Sequence, residues 1–321
     1  MRKITKTLLG IGGAFCLIGA LLFIIGFTSG GTKYVHATNL NSMNAQKDNK
    51  ESANRFTLKK TEIPDFTSLN INLEDSDLNI EESPNEKSYI EYVQATKDKK
   101  NPLSYSIENG TLTLKEAGNT GASYYINVDI SFLQAALSSK NIEDYTKESS
   151  KYENYVTLYL PKDKLVSSAK IYLGYGDFYI KNAAFDTINI KLDDGDFDAN
   201  TLTANSGKLT FSYGDCDLQK ASLGNISLTS KDGDLTVDEL TLSGKTKIAL
   251  SYGDAEITLN DSTKKVSGFD LATHYGTITA SGLNGNKTVD EDDDVNTFQS
   301  NSKDGNTKLA IDSKDGDITL K

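Results

Sequence analysis

The chain has 321 residues, of which 37% are hydrophobic, and a formal net charge of −11. That balance argues against nucleic acid as a partner, since no basic stripe for phosphates stands out in the sequence, and against docking on anionic lipid. Two cysteines cannot build a disulfide framework for a chain of this size.

Residues 1–7 carry Arg2, Lys3 and Lys6 and read as a cytoplasmic N-terminus. Residues 8–27 follow with no charge. At about 1.5 Å rise per residue, this run spans roughly 30 Å of hydrocarbon. The basic flank places everything beyond it outside, so the expected location is the cell membrane, single-pass, with an extracytoplasmic C-terminal part. A cleaved signal peptide is the competing reading, with Val35-His36-Ala37 as a cleavage-like site. The apolar run exceeds the usual signal core, which favours an anchor. Gly13-Ala14-Phe15-Cys16 is a poor lipidation box, because a bulky Phe precedes the Cys. Gly12, Gly19 and Gly26 fall on one helix face. Such a stripe is common in membrane helices and also lets a second helix approach, so an intramembrane signalling protein is a candidate partner. Residues 28–60 are polar and aperiodic, a flexible linker.

Residues 61–321 read as a β-repeat domain. Alternation begins at Leu69-Asn70-Ile71-Asn72-Leu73 and resumes at Leu78-Asn79-Ile80, as expected of strands with one buried face. A strand-rich insertion spans 81–165. Strands are expected at 89–93, 103–107, 112–114, 124–130 and 155–160, with a helical turn at 132–137. Asn109-Gly110 marks a hairpin. A solenoid needs a cap at its open end, and this insertion is a candidate for one.

A Gly-Asp turn then recurs at Gly176, Gly195, Gly214, Gly233, Gly253 and Gly316, with the variant Gly276-Thr277 between the last two. The first five glycines lie 19, 19, 19 and 20 residues apart, which marks a stacked repeat. Counting from the glycine, apolar residues sit at minus five, minus three, plus two and plus four, as in Ile190, Leu192, Phe197 and Ala199. Two geometries satisfy this pattern: hairpins closed at each turn, or coils of a parallel β-helix with Leu192 between Leu173 and Phe211. Near-constant unit length favours coils. Cys216 fills a slot held elsewhere by Phe178, Phe197 and Leu235 and reads as a core residue.

The residue before the glycine alternates as Tyr175, Asp194, Tyr213, Asp232 and Tyr252. On a stack this column is either a stabilising edge ladder or a surface that meets a sugar or a peptide. The residue after the glycine is nearly always Asp. Stacked carboxylates about 4.8 Å apart repel by roughly 1 kcal/mol in water. The expected offset is hydrogen bonding from each turn's own backbone N–H groups. Bound calcium is the alternative, but the Gly-Gly-x-Gly-x-Asp pattern of calcium-binding β-rolls is missing. Residues 284–302, with the acidic run Glu291-Asp292-Asp293-Asp294, read as a solvated loop or a contact for a cationic ligand. If residues 317–321 form the last coil, they present an open edge.

The phrases Ser-Lys-Asp-Gly-Asp-Leu-Thr-Val (230–237) and Ser-Lys-Asp-Gly-Asp-Ile-Thr-Leu (313–320), with Val-Thr-Leu-Tyr-Leu-Pro (156–161) upstream, resemble the Toastrack, or adhesin-like, β-strand-repeat family. One N-terminal membrane helix ahead of such a domain is similar to the membrane-anchored component of Lia-type envelope-stress operons of Gram-positive bacteria. The resemblance implies an all-β, single-stranded β-helix-like solenoid, no catalytic residues and no cofactor. It also implies association with intramembrane signalling proteins.

Three functions then compete. A non-enzymatic binding or sensing module would use its acidic surface to attract cationic peptides. An adhesin would hold wall or host glycans on Tyr175, Tyr213 and Tyr252. An enzyme finds little support: the carboxylates recur at every turn, as structural residues do, and neither nucleophile–base pairing nor metal-ligand spacing occurs.

Overall fold

The computed structural model describes residues 54–96, 99–117, 154–290 and 294–321. The predicted membrane span with Gly12, Gly19 and Gly26, Cys16, the linker up to residue 53, the expected strand at 124–130 and turn at 132–137, and the acidic residues 291–293 lie outside them. Among the described residues no helix is long and apolar enough to cross a membrane.

The unit from Asn54 to Lys321 is a parallel β-solenoid. Strands β8 (Leu165–Tyr175), β10 (Ala183–Asp194), β11 (Phe197–Tyr213) and β12 (Cys216–Asp232) pair in parallel, each residue with the one a coil away. Leu192 lies between Leu173 and Phe211 in register. The hairpin alternative is thereby excluded. Each coil runs up one strand, turns at Gly-Asp and enters a second strand. It then adds a third short segment that the sequence reading missed. Ala183 and Phe185, Leu202 and Ala204, Ala221 and Leu223, and Leu240 and Leu242 form that third wall, all buried.

The core is the sum of these inward residues. Phe178, Phe197 and Phe211 are fully buried, with ring centroids 5.2 and 5.6 Å apart. Cys216 stacks between Phe197 and Leu235 and burial pushes its thiol pKa up, so it is an inert core residue.

Coil order departs from chain order at both poles. β2 (Ser68–Leu73) and β3 (Asp77–Glu82) come first in the sequence. They are covered by β6 (Thr111–Glu116) and β7 (Tyr155–Leu160), which come later and lie outside them. At the other pole, β20 (Lys308–Asp315) and β21 (Ile318–Leu320) end the chain. They slot between the coil of β14 (Lys245–Tyr252) and β15 (Ala255–Leu259) and the coil of β16 (Gly268–Tyr275) and β17 (Ile278–Ala280). The segment 317–321 is therefore an internal rung and not an open edge.

Antiparallel strands close the stack. β1 (Asn54–Ile63), which takes in the end of the stretch 28–60 expected as linker, pairs with β4 (Ser88–Thr96), which lies on β7, and β5 (Leu103–Glu108) lies on β6. At the far pole β19 (Val295–Ser300) lies on β16 and is itself paired with β18 (Asn286–Asp290). Much of the stretch 284–302, expected as a loop, is thus a hairpin: its polar strands suit an edge that buries little. A short helix, α1 (Asp261–Val266), links two coils, capped by the Asn260 side chain.

Ser76 replaces glycine in the first turn for a reason visible at the pole. Its hydroxyl donates to Glu116 Oε1 (2.9 Å) and accepts from Gln94 Nε2 (2.8 Å), while Glu116 Oε2 accepts from the N–H groups of Glu74 (2.8 Å) and Asp75 (3.0 Å). Burial nonetheless raises the Glu116 pKa, against the lowering effect of those three donors. A carboxyl raised above its unfolded value of about 4.3 adds stability in acid and loses it as pH rises through the folded pKa. The wild type should therefore gain on Glu116→Gln as pH falls from 7 towards 4, read as the difference in urea midpoints. The carboxylates that shift the other way, such as Asp65 and Asp270 beside lysines, act equally in both proteins. A pH-independent difference would refute the assignment.

Candidate functional site

Two columns run side by side along the turn edge, and they differ in what their side chains do. The first is the column after the glycines: Asp77, Asp177, Asp196, Asp215, Asp234, Asp254, Asp317 and Thr277. Each Asp Oδ1 accepts the backbone N–H of the next coil's residue, at 2.7–2.9 Å. The donor belongs to the neighbouring coil and not to the same turn, which corrects the sequence expectation. The next coil's N–H lies above each carboxylate at strand spacing, within reach of its Oδ1. Thr277 needs no carboxylate because among the described residues no further coil stacks on it. Among the described residues no group of three or more His, Cys, Asp or Glu is placed to hold a metal.

The turn glycines stack backbone on backbone beneath this column. A Cβ on Gly195, Gly214, Gly233, Gly253, Gly316 or Gly276 would overlap the carbonyl of the preceding turn in the stack, and one on Gly176 would crowd Ser76.

The second column precedes the glycines. Tyr175 pairs in register with Asp194, Tyr213 with Asp232, Asp232 with Tyr252, Tyr252 with Asp315, and Asp315 with Tyr275. The Leu73–Leu173 register carries Asp75 to Tyr175 at the other end. The alternation thus runs Asp75, Tyr175, Asp194, Tyr213, Asp232, Tyr252, Asp315, Tyr275. In chain order Tyr252 would be followed by Tyr275; insertion of the last coil restores the pattern. Sequence reading found five members and missed Asp75, Asp315 and Tyr275. The signal was there, since Tyr275 and Asp315 each precede a turn glycine.

These side chains are unspent. Tyr175, Tyr213, Tyr252 and Tyr275 are 64%, 57%, 61% and 66% exposed. Among the described residues their hydroxyls, and the carboxylates of Asp194, Asp232 and Asp315, enter no hydrogen bond or ion pair. Rings on alternate rungs lie about 9.6 Å apart with a carboxylate between. Next to them Asp198 has a raised pKa, from burial and then from Asp217, Asp196 and Asp177, a sign of the negative field along this edge.

Against known proteins, the family model described as Toastrack DUF4097 matches residues 66–321. Solved structures similar to the chain include a candidate cell adhesion protein from Clostridium sporogenes ATCC 15579, 14% identical, covering 84% of this chain and 99% of that one, with TM-score 0.35. A candidate adhesin from Bacteroides fragilis NCTC 9343 is 11% identical over 84% of this chain and 99% of that one, with TM-score 0.41. A candidate lipid binding protein from Parabacteroides distasonis ATCC 8503 is 12% identical over 84% and 98%, with TM-score 0.35. No curated protein matches.

Proposed function

This chain belongs to the Toastrack DUF4097 family, and from that premise we propose that it is a non-enzymatic binding module of the cell envelope. Residues 8–27 hold it in the membrane with the solenoid outside, and the tyrosine–carboxylate edge meets the ligand. The observation that carries this reading is the contrast between the two columns. One spends its carboxylates on the next coil's backbone; the other leaves tyrosines and carboxylates to solvent. A cationic peptide suits such an edge, with rings to stack on and carboxylates between them for its charges. Gly12, Gly19 and Gly26 would serve a signalling partner in the same membrane, and no cofactor is required.

A second reading uses the same tyrosines to stack wall or host sugars, as an adhesin would. Salt separates the two. Binding of a lysine-rich peptide to the full chain should weaken steeply between low and high ionic strength, whereas sugar stacking should not. Changing Tyr175, Tyr213 and Tyr252 together to Ser should abolish either kind of binding and leave the fold intact. Changing Asp194, Asp232 and Asp315 to Asn should lower peptide binding by about tenfold or more and spare glycan binding. A tyrosine variant that binds both probes as well as the wild type would defeat both readings.

A further inference from the structure

The outward face of the pre-turn strands has an opposite character to the turn edge. A groove of about 540 Å³ crosses β6, β2, β8, β10 and β11, and its polar lining is Asn70, Asn72, Lys115, Lys170, Tyr172, Asn189, Lys191, Lys208 and Thr210. Four of these are lysines and none is a carboxylate, in a chain of net charge −11.

The register shows how the cations are laid out. Lys170 faces Asn189, which faces Lys208; Tyr172 faces Lys191, which faces Thr210. Asn70 and Asn72 face Lys170 and Tyr172 from the other side, and Lys115 faces Asn72. Successive coils therefore offer Lys170, Lys191 and Lys208 in a zigzag, one cation per step of about 4.8 Å.

Outside the groove some lysines pair with acids, as Lys181 does with Glu81 (3.3 Å), Lys220 with Glu239 (3.9 Å), Lys308 with Asp270 (2.9 Å) and Lys321 with Glu256 (2.5 Å). Inside the groove the cross-strand neighbours are amides and hydroxyls instead. Two acids stand near Tyr172 at the rim, Glu74 and Asp193, and Asp193 is the one bonded to groove residues. It accepts from Lys191 Nζ (2.6 Å) and from the Tyr172 hydroxyl (3.0 Å). Burial and that bond push the Tyr172 pKa up to about 12, so the phenol stays a donor. Lys115, Lys170 and Lys208 have no ion pair among the described residues.

We propose that this groove binds a linear anionic carbohydrate polymer lying across the coils. Lys170, Lys208 and Lys115 would meet its phosphate or carboxylate groups as point charges. Asn70, Asn72, Asn189 and Thr210 would exchange hydrogen bonds with its hydroxyls. No residue of the tyrosine–aspartate column lines this site.

The test uses the full chain and four probes: poly(glycerol phosphate), polygalacturonate, uncharged dextran and single-stranded oligothymidylate. Binding of at least one anionic carbohydrate is expected, and which one separates phosphodiester from carboxylate chemistry. Lys170→Gln with Lys208→Gln should weaken it at least about tenfold, since hydrogen bonds to charged groups are the strong ones. Lys231→Gln with Lys314→Gln removes the same charge from exposed sites outside the groove and should leave affinity unchanged. The tyrosine triple variant should also leave it unchanged, so failure here is separable from failure of the edge. The inference is overturned if neither anionic carbohydrate binds, if the control pair weakens binding equally, or if oligothymidylate or dextran binds as well.

Discussion

Ending the chain at Thr307 is expected to unfold the C-terminal coils, not merely to shorten the stack. The deleted residues form an internal rung. Leu309, Ile311, Ile318 and Leu320 are each no more than 1% exposed, and β20 pairs with both β14 and β16. Burying one such side chain contributes about 1.5–3 kcal/mol, so their joint loss rivals the roughly 5–15 kcal/mol that holds a whole domain. The coil of β16 and β17 would then face β14 and β15 across an empty layer. Hydrogen exchange should show protection lost from residue 245 onward, with β10 and β11 the last to open. A truncated chain with unchanged protection at Phe269 and Leu271 would contradict the coil order described here.

Gly214→Val is expected to cost at least about 3 kcal/mol, read as a fall in the urea midpoint. Two causes add. The residue sits at φ +115, where an L side chain is strained by about 1–3 kcal/mol. Its Cβ would also overlap the Gly195 carbonyl, so the turn column must part and the bond from Asp215 N–H to Asp196 (2.9 Å) goes with it. Gly305→Ala supplies the comparison. That glycine has φ +73 with nothing within 4 Å of the added carbon, so only the conformational cost of about 1–2 kcal/mol remains. Equal losses in the two variants would show that stacking contributes nothing at the turn.

The sequence made legible whatever obeys a local period. Leu192 and Phe197 are inward because residues two apart share a face, and the near-constant interval between turn glycines set Leu192 over Leu173 and Phe211. Coil order was not legible, because a period says which residues are buried and not which coil lies next. The exchanges at the two poles are long-range pairings, Ser76 with Glu116 and Tyr275 with Asp315. Only the break in the tyrosine–aspartate alternation hinted at them. The third wall was missed because Ala183, Ala221 and Leu240 sit in runs that continue the neighbouring strand without a turn signal. The lysine groove was missed because its residues are scattered over coils whose neighbours were unknown.

The closed poles bear on how many copies can share a surface. At the last coil, Asn296 Nδ2 donates to the Gly276 carbonyl (2.7 Å) and Lys287 Nζ to that of Ile278 (2.8 Å). The outermost strands carry charges such as Arg55, Lys59, Lys60, Lys287 and Asp290. A solenoid left bare at either pole would recruit its own kind and grow into fibrils. The occupied carbonyls at that coil, and the charged ribbons at both ends, oppose such edge-to-edge pairing.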